Sequence, residues 1–195
     1  MSLPIVVFDI DDTLWPLLDR VTDTLGLPRG VLTEYYAMNN VHLPASTIDK
    51  VLACYADAKM FTDINWFDGV ERINEMNADK YICSNSLSEA VLQQKRIEIP
   101  KQLIIPEDKI LLYLIDKTGA KEKKLPDNIY ILFDDSPYNI ANSTAQHNIV
   151  LRRSHNVSLK AQDIMYSNGF KNIYMVSTLN EGLDIAFKLL EEENI

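Results

Sequence analysis

The sequence predicts an α/β chain of three layers: a central parallel sheet, helices on both of its faces, and a helical insertion after the first strand. Three observations carry this. Short, wholly apolar runs recur along the chain, as strands buried on both faces require. Segments with helical spacing lie between them. Residues 15–68 break that rhythm, and no good strand falls there.

The first run, Ile5–Phe8, is stopped by an aspartate. Further strands are predicted at 81–83, 110–115, 129–133, 149–151 and 173–176, with helices at 70–77, 87–96, 139–146 and 180–192. Pro137 suits the first turn of its helix, where a missing N–H costs nothing. Within the interruption, helices are predicted at 17–25, 30–38 and 46–58, separated by Gly26, Pro28, Asn39-Asn40 and Pro44. Ser46 followed by Asp49 resembles a capping box with a shortened acid. The chain therefore divides into a core of residues 1–14 and 69–195 and a helical insertion of residues 15–68.

The 195 residues suit one core with a modest insertion. With 19 Lys+Arg against 28 Asp+Glu the formal charge is −9, which argues against a nucleic-acid polymer as partner but not against a small phosphate held by a local site. Two cysteines make no disulfide framework, and Cys83 reads as a buried, inert thiol. Residues 1–4 lack a basic n-region, and no apolar run approaches the roughly 18 residues of a membrane helix. A cytoplasmic chain without a membrane partner, monomer or homodimer, is expected. Six glycines and no GxxxxGK[ST] or GxGxxG pattern remove the P-loop and dinucleotide fingerprints.

Ligands of parallel α/β sheets bind beyond the carboxyl ends of the strands, so the residues there matter most. After the first strand comes Asp9-Ile10-Asp11-Asp12-Thr13-Leu14. Alternation puts Asp9 and Asp11 on one side, and acids this close repel unless a cation or proton intervenes. After the second comes Ser84-Asn85, after the third Asp116-Lys117-Thr118, and after the fourth Asp134-Asp135-Ser136. Singly, each has an ordinary reading as a helix cap or a loop lysine.

In order, DxDxT, Ser, Lys and Asp-Asp resemble the haloacid dehalogenase superfamily of phosphohydrolases, over about residues 3–14 and 69–180. The resemblance implies a Rossmann-like sheet, a small helical cap formed by the insertion after strand one, and a Mg2+-dependent phosphomonoesterase working through an aspartyl-phosphate. Asp9 would be the nucleophile and Asp11 the general acid and base. Ser84 and Lys117 would hold the phosphoryl group, with Lys95, Lys109 and Lys121 as rivals for the lysine. Asp9, the backbone carbonyl of Asp11, Asp134 and Asp135 would bind the metal, with Asp135 favoured over Asp134 as the direct ligand. The residue types suit the chemistry, because a carboxylate attacking an anionic ester needs its charge offset.

Two families within that superfamily are similar to this chain. Asp9–Pro16 (DIDDTLWP) with Leu132-Phe133-Asp134-Asp135 is similar to the magnesium-dependent phosphatases, which implies sugar phosphates or phosphotyrosine as substrates. Phe67-Asp68-Gly69-Val70, Leu114-Ile115-Asp116-Lys117-Thr118 and Arg153-Ser154-His155-Asn156 resemble the 5′(3′)-deoxyribonucleotidases, although Ser136 stands where those carry Arg. A small phosphorylated substrate, foremost a deoxynucleoside monophosphate, is expected. Trp15 and Trp66 flank the ends of the insertion and could stack a base. Asn85 beside Ser84, and Arg153 beside Arg152, could meet a polar or anionic substrate group. His42, His147 and His155 show no metal-ligand spacing and read as structural or exposed. A phospho-accepting receiver domain uses similar residues, but with its acidic pair first and its lysine last, the reverse of the order here.

Overall fold

The structure, a computed structural model, describes residues 2–115, 125–169 and 172–193. Among these, six parallel strands form one sheet: β1 (Ile5–Phe8), β2 (Asp79–Ser86), β3 (Ile110–Leu114), β4 (Ile129–Phe133), β5 (His147–Leu151) and β6 (Asn172–Val176). Their spatial order is β3-β2-β1-β4-β5-β6. The chain winds in opposite directions from β1 and from β4, so a crevice opens where those strands end. Phe8 pairs with both Ile82 and Phe133, which brings the chain out of β1 and β4 at one level.

Alternation along each strand builds two cores. Val6, Phe8, Ile82, Ile131, Phe133, Ile149 and Leu151 face one side, where α1 (Leu17–Leu25), α2 (Ala45–Ala56), α3 (Glu89–Glu98) and α6 (Leu179–Glu193) pack. Val7, Cys83, Leu132 and Val150 face the other, under α4 (Pro137–Asn142) and α5 (Leu159–Met165). The three-layer α/β architecture expected from the apolar runs is thus present. Among the described residues, no helix is long and apolar enough to cross a membrane.

The insertion differs from its expected form. Only a 3-10 turn, Ala37–Asn39, stands where the sequence predicts a helix over 30–38. Asn40 explains the loss. Its buried side chain accepts from the N–H groups of Thr33 and Glu34 and donates to the carbonyls of Glu34, Tyr36 and Ala37. Those backbone groups are therefore spent on an amide rather than on a helical ladder. α2 begins at Ala45, after Pro44, so Ser46 lies inside the helix and no capping box forms. Residues Val70–Glu75 form a 3-10 helix, and α5 lies where the sequence pattern predicts no helix. Among the described residues the insertion shares the core of the sheet. Leu17, Val21, Leu32, Val51 and Phe61 belong to the same apolar cluster as the sheet. The Phe67 N–H donates to Leu14 O at 2.9 Å, closing the segment close to where it opens.

Candidate active site

Asp9 directly follows β1, and Asp134-Asp135 directly follow β4. All three are buried, and each offers one carboxylate oxygen within 4.8 Å of the other two. Each acid of the pair is held separately. The Asn139 Nδ2 group donates to both oxygens of Asp134 at 3.0 and 2.9 Å, and the Ser136 N–H donates to Oδ1 at 2.9 Å. The reason is local. Ser136 caps α4, accepting from Asn139 N, and Pro137 occupies the first turn, so Asn139 comes round beneath Asp134. Asp135 Oδ2 lies 2.6 Å from His155 Nε2, and its Oδ1 accepts from the Thr13 hydroxyl at 3.4 Å.

The first acidic segment turns sharply through Asp12, whose φ of 60° is left-handed. Asp12 Oδ1 accepts from Leu18 N at 2.8 Å, anchoring the start of α1. Burial, then the neighbouring Asp135 carboxylate, push the Asp12 carboxyl up to about 7, against the pull of His155. Asp11 takes a different position, partly open to solvent. Its Oδ1 accepts from the Trp15 indole at 3.0 Å and its Oδ2 from Lys95 Nζ at 2.6 Å. The Tyr55 hydroxyl, brought by α2, is raised well above its ordinary pKa by burial and by the Asp12, Asp11 and Asp135 carboxylates.

Lys95 is 0% exposed. Its Nζ also donates to Ser84 Oγ at 3.0 Å and to the Asn85 carbonyl at 2.8 Å, and it lies 5.0 Å from the centre of the Phe61 ring. One amino group thus joins the first acidic motif to the end of β2. Lys117, expected in this role, lies outside the described residues, as does Lys121. Lys109 pairs with Asp79, the first residue of β2, at the opposite end of the sheet from the acids. The sequence signal for Lys95 is present but easily overlooked. It falls in the buried stripe Val91, Leu92, Lys95, Glu98 of α3, where a lysine is out of place unless it has polar partners.

The substrate candidates separate. Trp15 is 1% exposed, tilted against Phe61 at 5.2 Å, with its N–H given to Asp11. Contrary to expectation, its faces are closed to a base, and its part is to hold Asp11. Trp66 is half-buried in a cleft of 420 Å³ shared with Phe67, Arg72, Gln102 and Asn180. Arg153 lies over the Phe67 ring at 4.5 Å and donates through Nε to the Asp12 carbonyl at 2.7 Å, so it braces the acidic loop from behind. Asn85 Oδ1 is buried without a hydrogen-bond partner among the described residues. His155, read from the sequence as structural or exposed, is buried and holds Asp135, a role that reading does not specify. It follows β5 closely, so attention to strand ends would find it.

No family model matches the chain, and no curated protein does. Solved structures do match. A provisionally named haloacid dehalogenase-like hydrolase from Burkholderia xenovorans is 11% identical, with a TM-score of 0.52 and coverage of 97% of this chain and 99% of that one. A provisionally named beta-phosphoglucomutase from Bacteroides vulgatus is also 11% identical, with a TM-score of 0.52 and coverage of 98% and 90%.

The fold is haloacid dehalogenase-like. At such identities a haloacid dehalogenase-like fold speaks for architecture, and function must be argued from the site itself. The site suits a divalent cation of the magnesium type. Its donors are three buried carboxylates, hard oxygen ligands with neither sulfur nor imidazole among them. Three carboxylates this close repel one another, which a cation would relieve.

Proposed function

We propose that this chain is a Mg2+-dependent phosphomonoesterase that transfers the phosphoryl group of a small metabolite to Asp9 and then to water. The observation that carries the reading is the meeting of Asp9, Asp134 and Asp135 at one sheet edge, with Lys95 tying Asp11 to Ser84 beside them. Asp9, Asp134, Asp135 and the Asp11 carbonyl would hold the cation. When bound it would supply positive charge against the phosphoryl oxygens and the attacking carboxylate.

Asp9 attacks phosphorus in line, forming an O–P bond as the bond to the leaving oxygen breaks. Asp11, held by the Trp15 indole, gives that oxygen its proton. In the second step Asp11 takes a proton from water as it attacks the aspartyl-phosphate, which releases inorganic phosphate and restores Asp9. Ser84 binds a phosphoryl oxygen, and Lys95 turns the N–H it holds on Asp11 Oδ2 to another, which leaves that oxygen of Asp11 free to carry the proton.

For substrate we favour a deoxynucleoside monophosphate, on the nucleotidase-like segments of the sequence and on aromatic surface near the acids. With Trp15 closed, that surface is the group Tyr35, Tyr36 and Tyr138, whose rings lie 5.0 to 6.1 Å apart, with Tyr35 against the His155 that holds Asp135. A sugar phosphate or phosphotyrosine is the second reading, favoured by the Trp15-Pro16 ending of the first motif.

The test is phosphate release from deoxynucleotides, sugar phosphates and phosphotyrosine, with Mg2+ or with EDTA. Activity should require Mg2+, and Asp9→Asn should lose about three orders of magnitude or more, as removal of a nucleophile does. Equal activity in Asp9→Asn and wild type would overturn the mechanism. Equal turnover of nucleotides and sugar phosphates would overturn the substrate assignment alone.

A further inference from the structure

Resting on the proposed Mg2+ site, we infer that His155 is a positioning residue which aims the Asp135 carboxylate at the metal. Asp135 is gripped at two points by consecutive residues of the segment after β5. The His155 Nε2 lies 2.6 Å from Oδ2, and the Asn156 Nδ2 group donates to the Asp135 carbonyl at 3.0 Å.

The gripping segment is itself locked. Asn156 Nδ2 also donates to Leu151 O at 2.8 Å, and Asn156 Oδ1 accepts from Arg153 N at 2.8 Å. His155 is 5% exposed. The Tyr35 ring, from the insertion, meets its imidazole edge-on at 5.4 Å, which fixes the plane of the ring. A carboxylate so held cannot rotate about its terminal bond, yet it keeps other lone pairs for a cation. Neutral or protonated, the imidazole presents the same Nε2–H to Asp135. Partners of this kind orient metal ligands, and their loss commonly weakens metal affinity by 10–100-fold. Asp134 has a separate clamp in Asn139, so disturbing His155 acts on one carboxylate only.

The experiment measures Mg2+ binding calorimetrically to the full chain, as wild type, His155→Phe, His155→Gln and His155→Asn. Circular dichroism and the metal-free melting temperature check the fold. A Gln amide reaches the place of Nε2, whereas Asn falls short of it. Mg2+ should bind His155→Phe and His155→Asn about 10–100-fold more weakly than wild type, while His155→Gln stays within about threefold. Should the Phe variant not fold, the Gln against Asn comparison decides. Wild-type affinity in a folded His155→Phe, or equal affinity in the two amide variants, would overturn the inference while leaving the metal site standing. If wild type itself bound no Mg2+, the metal reading and this one would fall together.

Discussion

Lys95 Nζ sits where no solvent reaches it, and its three oxygen partners come from two different motifs. A donor preorganised in this way is worth most when charge develops on an oxygen nearby. Lys95→Met should therefore lower kcat by about 10²–10³-fold, as loss of an oxyanion donor does. Steady-state assays of Lys95→Met beside Lys117→Met check the assignment. A fully active Lys95→Met with an inactive Lys117→Met would move the role to Lys117. Asp12 presents the opposite case, a carboxyl that burial and Asp135 hold at about 7 rather than 3.8. Its contribution to stability is whole below pH 3.8 and is lost as pH rises through about 7, because folding then confines a charge that the unfolded chain would solvate. Asparagine keeps an oxygen for the Leu18 N–H but carries no charge. Asp12→Asn should accordingly stabilise the metal-free chain at pH 8 by roughly 1–3 kcal/mol, with a smaller gain at pH 5. Urea titrations at both pH values read this directly. A gain independent of pH would contradict it.

At the level of elements, the site depends on how α3 is hung. Ser88 caps it, accepting from Val91 N at 3.2 Å, while its hydroxyl donates to Ala56 O, the last residue of α2, at 2.7 Å. One hydroxyl thus sets the start of the helix that carries Lys95 and ties it to the insertion that carries Tyr55. Ser88→Ala should cost about 1 kcal/mol, the usual value of such a cap, and should raise KM as Lys95 loses its setting. Denaturant unfolding together with kinetics would show both effects. A stability loss with unchanged kinetics would mean that the cap does not position the lysine. The insertion also shows where local pattern misleads. Residues 30–38 carry a helix-compatible composition, but Asn40 captures the backbone groups a helix would need. A side chain that hydrogen-bonds its own neighbourhood competes with the ladder.

For the whole molecule, the acidic excess has a local part. Asp9, Asp11, Asp12, Asp134 and Asp135 converge on one crevice, where Mg2+ would bind the folded chain and not the unfolded one. Saturating Mg2+ should raise the melting temperature and EDTA should reverse the gain. At 100 times Kd the linkage amounts to about 2.7 kcal/mol, or roughly 5–10 °C for a chain of this size. Scanning calorimetry measures it, and a melting temperature indifferent to Mg2+ would count against the site. Apolar runs and their helical spacers are enough to read the parallel sheet, because strands buried on both faces leave so plain a pattern. The strand-end rule is enough to pick out Asp9, Asp134 and Asp135, since the residues just past a parallel strand are placed by the strand itself. Four features required the folded chain: Lys95 reaching Ser84 and Asp11, Asn139 beneath Asp134, His155 on Asp135, and Trp15 turned inward. Each depends on contacts between elements distant in sequence or on the direction a helix face takes, and a one-dimensional pattern carries neither. The sequence by itself determined which chemistry stands at the sheet edge. The tertiary structure decided which side chains hold that chemistry in place, because holding is a matter of distance and angle between separate elements.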